Sequence, residues 1–184
     1  MWIQLQGLPR FAKIPFYSGT KRVMTLPTEL LPITSPANGR FCTVDEHASA
    51  FSRNQLFGQG PMIDVTGNQI VAPFYATVKT ISSSGDFMQL MATGVSAAVT
   101  LTLMFGHGEH FQVHQALSRH VRDGDTVNKG QSLLTLNQAL LRAGEPHQSR
   151  LSLFIQCPAT LTWPTSGTAT ALDSIIFEEE QDKL

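Results

Sequence analysis

Three histidines, His107, His110 and His114, fall at spacings of three and four residues, with Glu109 among them. On a helix the three imidazoles share one face, and neutral histidine nitrogens in that pattern are zinc ligands. Gly106 and Gly108 weaken a helix there, so the reading adopted is turn and extended structure, with the histidines solvated or locally hydrogen-bonded and no metal bound. Other familiar chemistry is missing too. The serines lack a G-x-S-x-G nucleophile elbow, and no glycine-rich G-x-x-x-x-G-K-[ST] phosphate loop occurs. Cys42 and Cys157 are too few and too far apart for a disulfide framework or a thiolate zinc site. Reduced thiols, and with them a cytoplasmic location, are expected.

The chain around these residues has 184 positions, 42% hydrophobic and 15% charged, with 13 Lys and Arg against 14 Asp and Glu. That length and apolar fraction suit one folded domain and argue against disorder. A formal charge of −1 provides no drive toward nucleic-acid phosphates or anionic lipid. Glu178, Glu179, Glu180 and Asp182 gather at the C-terminus, and the rest is only slightly positive. No apolar run is long enough to span a bilayer and no signal-type apolar stretch opens the chain, so neither nucleic acid nor stable membrane insertion is expected.

The elements that must position any site are short. Gly39 to Val44, Ile70 to Pro73, Ala76 to Ile81, Phe87 to Ala92, Ala98 to Phe105, Gln131 to Leu136, Ser152 to Gln156 and Ser174 to Phe177 are β-branched or apolar runs bounded by Gly, Asn, Asp and Pro. Two stretches, Glu46 to Leu56 and Asn137 to Ala143, can form short helices that need a sheet to pack on. The expectation is an all-β protein, a β-sandwich or barrel with small decorating helices. Residues 1–31 differ: Pro9, Pro15 and Pro27, with Pro32 following, forbid a long helix, and Arg10, Lys13, Lys21 and Arg22 face one acid, Glu29. The expected organisation is an N-terminal arm over 1–31, a β-sandwich domain over 32–178 and an acidic tail over 179–184.

One ribbon has a recognisable spacing. V-x-x-G-D-x-V-x-x-G-Q-x-L-L, from Val121 to Leu134, reads as strand, turn, short strand, turn, strand, because its glycines can supply positive φ. Together with Ser35-Pro36-Ala37-Asn38-Gly39-Arg40, Gly58-Gln59-Gly60, Thr66-Gly67-Asn68-Gln69-Ile70-Val71-Ala72-Pro73 and Phe105-Gly106, it resembles the glucose-family enzyme IIA domain of the bacterial phosphoenolpyruvate:sugar phosphotransferase system. Order and separations agree from about residue 33 to 178. The resemblance implies an antiparallel β-sandwich or barrel of the duplicated hybrid-motif type. Such a domain takes a phosphoryl group onto a histidine from a small carrier protein and passes it to a membrane permease. The acceptor histidine ends a strand just before the Phe-Gly pair, and a second histidine on the neighbouring strand holds the phosphoryl oxygens.

At both positions this sequence departs from the family pattern. Met104 stands where the acceptor belongs and Asp86 where the second histidine belongs, with about three extra residues in the hairpin between them, within Thr93 to Ala98; a shifted gap makes Gln89 the counterpart instead. Phosphoryl transfer needs an unprotonated ring nitrogen as nucleophile and a positioned donor to balance charge. A thioether supplies neither. A carboxylate beside it repels an incoming phosphoryl group, and an aspartyl phosphate would call for a divalent metal with further carboxylates. The inference is a scaffold that keeps the fold without the reaction: a protein-binding or regulatory module without cofactor, whose partners would be the carrier protein or a permease. The alternative is an active component with a displaced acceptor such as His107 or Asp86. His107 lies an odd number of residues from Met104, so on a regular strand it points to the opposite face.

The segment His120 to Asp125 also resembles part of the lysostaphin-type zinc endopeptidases. Those need an H-x-H pair on a late strand, whereas Ser152 to Gln156 and Ser174 to Phe177 hold no histidine and His147 stands alone. A docking face is the better expectation. In the family a shallow apolar surface around the acceptor receives several partners, and Phe51, Leu56, Phe57, Met104 and Phe105 are its candidate counterparts here. Strand alternation puts Leu101, Leu103 and Phe105 on one face and Thr100, Thr102 and Met104 on the other, which makes Met104 the residue expected to be exposed.

Overall fold

The computed structural model describes residues 33–43, 57–94, 99–105, 115–143, 149–157 and 160–179. Fourteen strands and one short helix are described: β1 Ile33–Thr34, β2 Gly39–Cys42, β3 Met62–Val65, β4 Gln69–Val71, β5 Ala76–Ile81, β6 Phe87–Ala92, β7 Thr100–Phe105, β8 Leu117–Arg119, β9 Thr126–Val127, β10 Ser132–Leu136, α1 Gln138–Ala143, β11 Arg150–Gln156, β12 Leu161–Thr162, β13 Gly167–Ala169 and β14 Ile175–Glu179. An eight-stranded sheet runs β13-β2-β3-β11-β7-β6-β5-β9, and two three-stranded sheets run β4-β10-β8 and β1-β14-β12. Every pairing between strands is antiparallel. The fold is an antiparallel β-sandwich: the strand cadence predicts the all-β class, and the resemblance its antiparallel arrangement.

Alternation along the central strands builds the core. Met88 and Leu90 of β6, Leu101, Leu103 and Phe105 of β7, and Leu151, Leu153 and Ile155 of β11 all enter one apolar cluster with Ile70, Leu133, Leu134 and Phe177. Those side chains come from all three sheets, so the shared cluster joins the layers, and the central strands β7 and β11 are buried on their other face as well.

The Ser35 to Arg40 and Thr66 to Pro73 motifs meet at a structural joint. The Asn38 carbonyl accepts the N–H groups of Thr66 and Gly67 at 2.9 and 3.1 Å, and Pro36 accepts that of Val71 at 2.9 Å. At Gly39 an added Cβ would run into the Asp64 carbonyl oxygen, so the β2–β3 approach needs glycine at this point. The Val121 to Leu134 ribbon likewise follows its predicted turns. Gly124 and Gly130 sit at φ 85° and 83°, Gly124 donates to the Val78 carbonyl at 2.7 Å, and Asp123 Oδ1 accepts the Ile81 N–H at 2.7 Å.

The expected helix near Asn137 is present as α1, one residue shorter because Asn137 caps it, its Oδ1 accepting the Leu140 N–H at 3.2 Å. The other expected helix, Glu46 to Leu56, lies outside the described residues. Strands β1, β3, β8, β12 and β13 were not expected. Four of them have two or three residues, too few to show a period, and β3 buries both Met62 and Ile63, which obscures alternation. Among the described residues no helix is long and apolar enough to cross a membrane.

Candidate functional site

The end of β7 fixes the region of interest. Met104 pairs with Phe87 of β6 on one side and with Ser152 of β11 on the other, and Ser152 in turn pairs with Met62 and Met62 with Cys42. Opposed residues in antiparallel strands share a face, so Phe87, Met104, Ser152, Met62 and Cys42 form one row across the sheet. This face is opposite the one that carries Leu103 and Phe105. The next row holds Gln89, Thr102 and Phe154, and Gln89 Nε2 donates to Thr102 Oγ1 at 3.2 Å.

An aromatic group lies over these rows. The Phe57 ring stands 5.3 Å from that of Phe87 and 6.4 Å from that of Phe154, both tilted. Such offset pairs are worth about 0.5–1.5 kcal/mol beyond their burial. Phe57 and Phe87 are half-buried and Phe154 is buried.

Two expectations are corrected here. Met104 does lie on the face opposite the core, but it is 9% exposed rather than open to solvent. Phe87 and Ser152 on the neighbouring strands flank it. Phe105 is 4% exposed and belongs to the core cluster, as strand alternation requires of the residue after an outward Met104, so its ring faces away from any docking surface. Phe57 joins Met104's side of the sheet. Phe51, Leu56, His107, His110 and His114 lie outside the described residues, as does His147.

Asp86 is turned away from Met104's row. It directly precedes β6, and its carboxylate Oδ1 accepts hydrogen bonds from the hydroxyls of both Ser82 and Ser84. Its backbone carbonyl accepts the Phe105 N–H at 2.7 Å. Ser82 closes the turn by accepting the Phe87 N–H at 3.1 Å, and Arg119 donates to the Ser82 carbonyl at 3.2 Å. Asp86 therefore touches the end of β7 through its backbone while its carboxylate organises the 82–86 turn. The shifted-gap counterpart, Gln89, lies opposite Thr102 and bonds to it.

Three other ionisable groups singled out in the sequence, His120, Asp123 and Asp125, have structural contacts. His120 Nε2 lies 2.7 Å from Thr135 Oγ1. Asp123 holds Ile81, and Asp125 Oδ2 accepts the Arg122 N–H at 2.8 Å. Among the described residues no group of three or more His, Cys, Asp or Glu side chains could hold a metal. Among the described residues this face is lined by rings, thioethers, hydroxyls and one amide; Met62, Thr102, Ser152, Phe154 and Met104 are buried, and Phe57, Phe87 and Gln89 are among its partly exposed members. Half-buried aromatic rings suit a protein contact, and the described set offers no nitrogen nucleophile. Phe87, Phe154, Met62 and Cys42 were absent from the sequence-based set. Register alone joins them to Met104.

The chain matches a model of the phosphoenolpyruvate-dependent sugar phosphotransferase system EIIA 1 family over residues 31–156. It belongs to that family. Curated relatives include the PTS system glucose-specific EIIBCA component of Corynebacterium glutamicum, 33% identical over 103 residues, and the mannose-specific EIIBCA component of the same species, 34% identical over 103 residues. Each alignment covers 54% of this chain and 15% of the relative, so the chain spans a small part of the curated proteins it matches. Among solved structures, glucose permease IIA from Mycoplasma capricolum superposes with a TM-score of 0.65 at 16% identity, covering 80% of this chain and 94% of that one. That likeness concerns the fold, which is the IIA β-sandwich.

Proposed function

We propose that this EIIA-family chain is a catalytically silent, cytoplasmic component of a sugar phosphotransferase system, acting as a protein-docking or regulatory module. The observation that carries the reading is the Met104 row: a thioether is the next-to-last residue of β7, just before Phe105, and its cross-strand neighbours are Phe87 and Ser152. A thioether has no proton to give and no nitrogen lone pair to accept phosphorus. The carboxylate of Asp86, already accepting two hydroxyl donors, supports the same view. The partner is a phosphotransferase carrier protein or permease domain, received where the half-buried rings of Phe57 and Phe87 reach the surface, with Met104 and Phe154 buried beneath them.

The test is direct. The chain is incubated with phosphoenolpyruvate, enzyme I and the histidine carrier protein, and its intact mass is read without acid. No mass gain is expected. A gain of one phosphoryl group, on His107, Asp86 or elsewhere, rejects the reading. In parallel, the double variant Gln89→His, Met104→His should gain a phosphoryl group, because both imidazoles then stand on one face of the sheet, which Asp86, outside β6 and turned to Ser82 and Ser84, does not share. A folded double variant that stays unmodified would contradict the alignment on which silence is argued.

A further inference from the structure

We propose that a shallow cleft along β14 binds the chain's own N-terminal segment, residues Arg10 to Arg22. This goes beyond the docking reading and does not depend on it. In the β1-β14-β12 sheet, β1 covers one side of β14 by pairing Ile33 with Phe177 and Thr34 with Ile175. On the other side β12 pairs only with Glu178 and Glu179. Past Thr162 the chain continues as Trp163-Pro164, and proline has no N–H to extend the ladder. Among the described strands none pairs with the Ile175–Phe177 stretch of that edge.

A cleft of about 250 Å³ opens there between Trp163 and Pro164 on one wall and Ile175 to Glu178 on the other. Its volume is below the roughly 300–1,000 Å³ of small-molecule sites. An open edge beside an aromatic wall suits a few residues of extended chain better. Trp163 meets Phe177 edge-on at 6.2 Å and is itself half-buried, and Ile175 is 39% exposed. Aromatic-lined grooves of this kind take proline-containing extended segments, whose ordering costs little entropy.

Charge and tether identify the occupant. Glu178 is exposed at the cleft, and the sequence continues with Glu179, Glu180 and Asp182. Arg10, Lys13, Lys21 and Arg22 bracket Ile14-Pro15-Phe16-Tyr17, with no acid between Arg10 and Arg22. The segment thus offers apolar side chains for the walls and cations for the acidic mouth. It joins the fold at Ile33, whose partner Phe177 lines the cleft. The ten residues from Val23 to Pro32 can extend to about 30 Å, enough to pass round a single strand. Tethering at that range gives an effective concentration on the order of millimolar, which favours the segment in cis over an equivalent one in solution.

The test uses the full chain with Trp2→Phe, so that Trp163 is the single fluorescent tryptophan. Acrylamide quenching of Trp163 should rise roughly twofold in the charge-reversed variant Arg10→Glu, Lys13→Glu, Lys21→Glu, Arg22→Glu, and likewise in Glu178→Lys, as expected when opposed charges are made to repel. About 1 M salt, which shortens screening to about 3 Å, should act in the same direction on the parent. The rise must be independent of protein concentration. Glu178 is exposed, so its variant decides the matter even if the fourfold variant fails to fold. Unchanged quenching in Glu178→Lys overturns the proposal. Protection of Trp163 that is lost on dilution assigns the cleft to a second copy, and protection that arises only when the carrier protein is added assigns it to a partner; either result overturns it.

Discussion

Asp86 and Met104 do not face one another: the residue opposite Met104 is Phe87, and the Asp86 carboxylate accepts the hydroxyls of Ser82 and Ser84 instead. The two positions that matter most in the sequence are joined only indirectly, through the Phe105 N–H on the Asp86 carbonyl. This geometry makes Asp86 a turn organiser. Replacing it with alanine should leave two hydroxyl donors without their acceptor and lower unfolding free energy by about 1–3 kcal/mol. Urea unfolding followed by circular dichroism measures this, and an unchanged midpoint would show that the turn holds without its carboxylate.

Glycine positions separate space from conformation. A Cβ on Gly60 would collide with the Leu153 carbonyl oxygen and lie 2.7 Å from Phe177 Cζ. Gly60→Ala should therefore shift backbone between β3 and β11 and cost well over about 3 kcal/mol, in the range reserved for severe overpacking. Gly124 meets nothing within 4 Å, and its difficulty is a φ of +85°. Gly124→Ala should cost only about 1–2 kcal/mol. Thermal melts of the two variants should rank them in that order, and equal melting temperatures would contradict the crowding at Gly60.

Phe57 and Phe154 touch but have different duties. Phe154 is 2% exposed, so Phe154→Ala should remove about 3–5 kcal/mol of stability. Half-buried Phe57 should cost less, about 1–2 kcal/mol, from its lost ring contacts and partial burial. If the outer face docks a partner, Phe57→Ala should also weaken carrier or permease-domain binding at least about tenfold, as an aromatic anchor would. Calorimetric titration of folded Phe57→Ala with affinity equal to that of the parent would remove Phe57 from the docking face.

Zinc provides a separate check on His107, His110 and His114. A metal held at a hundred times its dissociation constant stabilises the folded state by about 2.7 kcal/mol, equivalent to a rise of several degrees in melting temperature for a chain of this size. Addition of zinc at micromolar excess should raise the melting temperature of this protein by less than about one degree. A clear upward shift that is lost in His110→Ala would assign these histidines to a metal.

Much of this protein could be read locally. Positive-φ glycines at 124 and 130, the capping Asn137 and the alternation of Leu101, Leu103 and Phe105 against Thr102 and Met104 depend on neighbours within a few residues, so their signals lie along the chain. The shortest strands carry too little period to be seen, and Met62-Ile63 hides its own. The face that Met104 occupies followed from alternation. The surroundings of that face did not, because they depend on strand register across separations of up to about 90 residues along the chain. Pairing of β7 with β11 and of β11 with β3 brings Ser152 and Met62 into Met104's row, and the packing around that row reduces Met104 to 9% exposure. Which residue types are available to react is a property of the sequence. Which of them meet is decided by hydrogen-bonded ladders between distant strands, and here those ladders set a methionine between a phenylalanine and a serine.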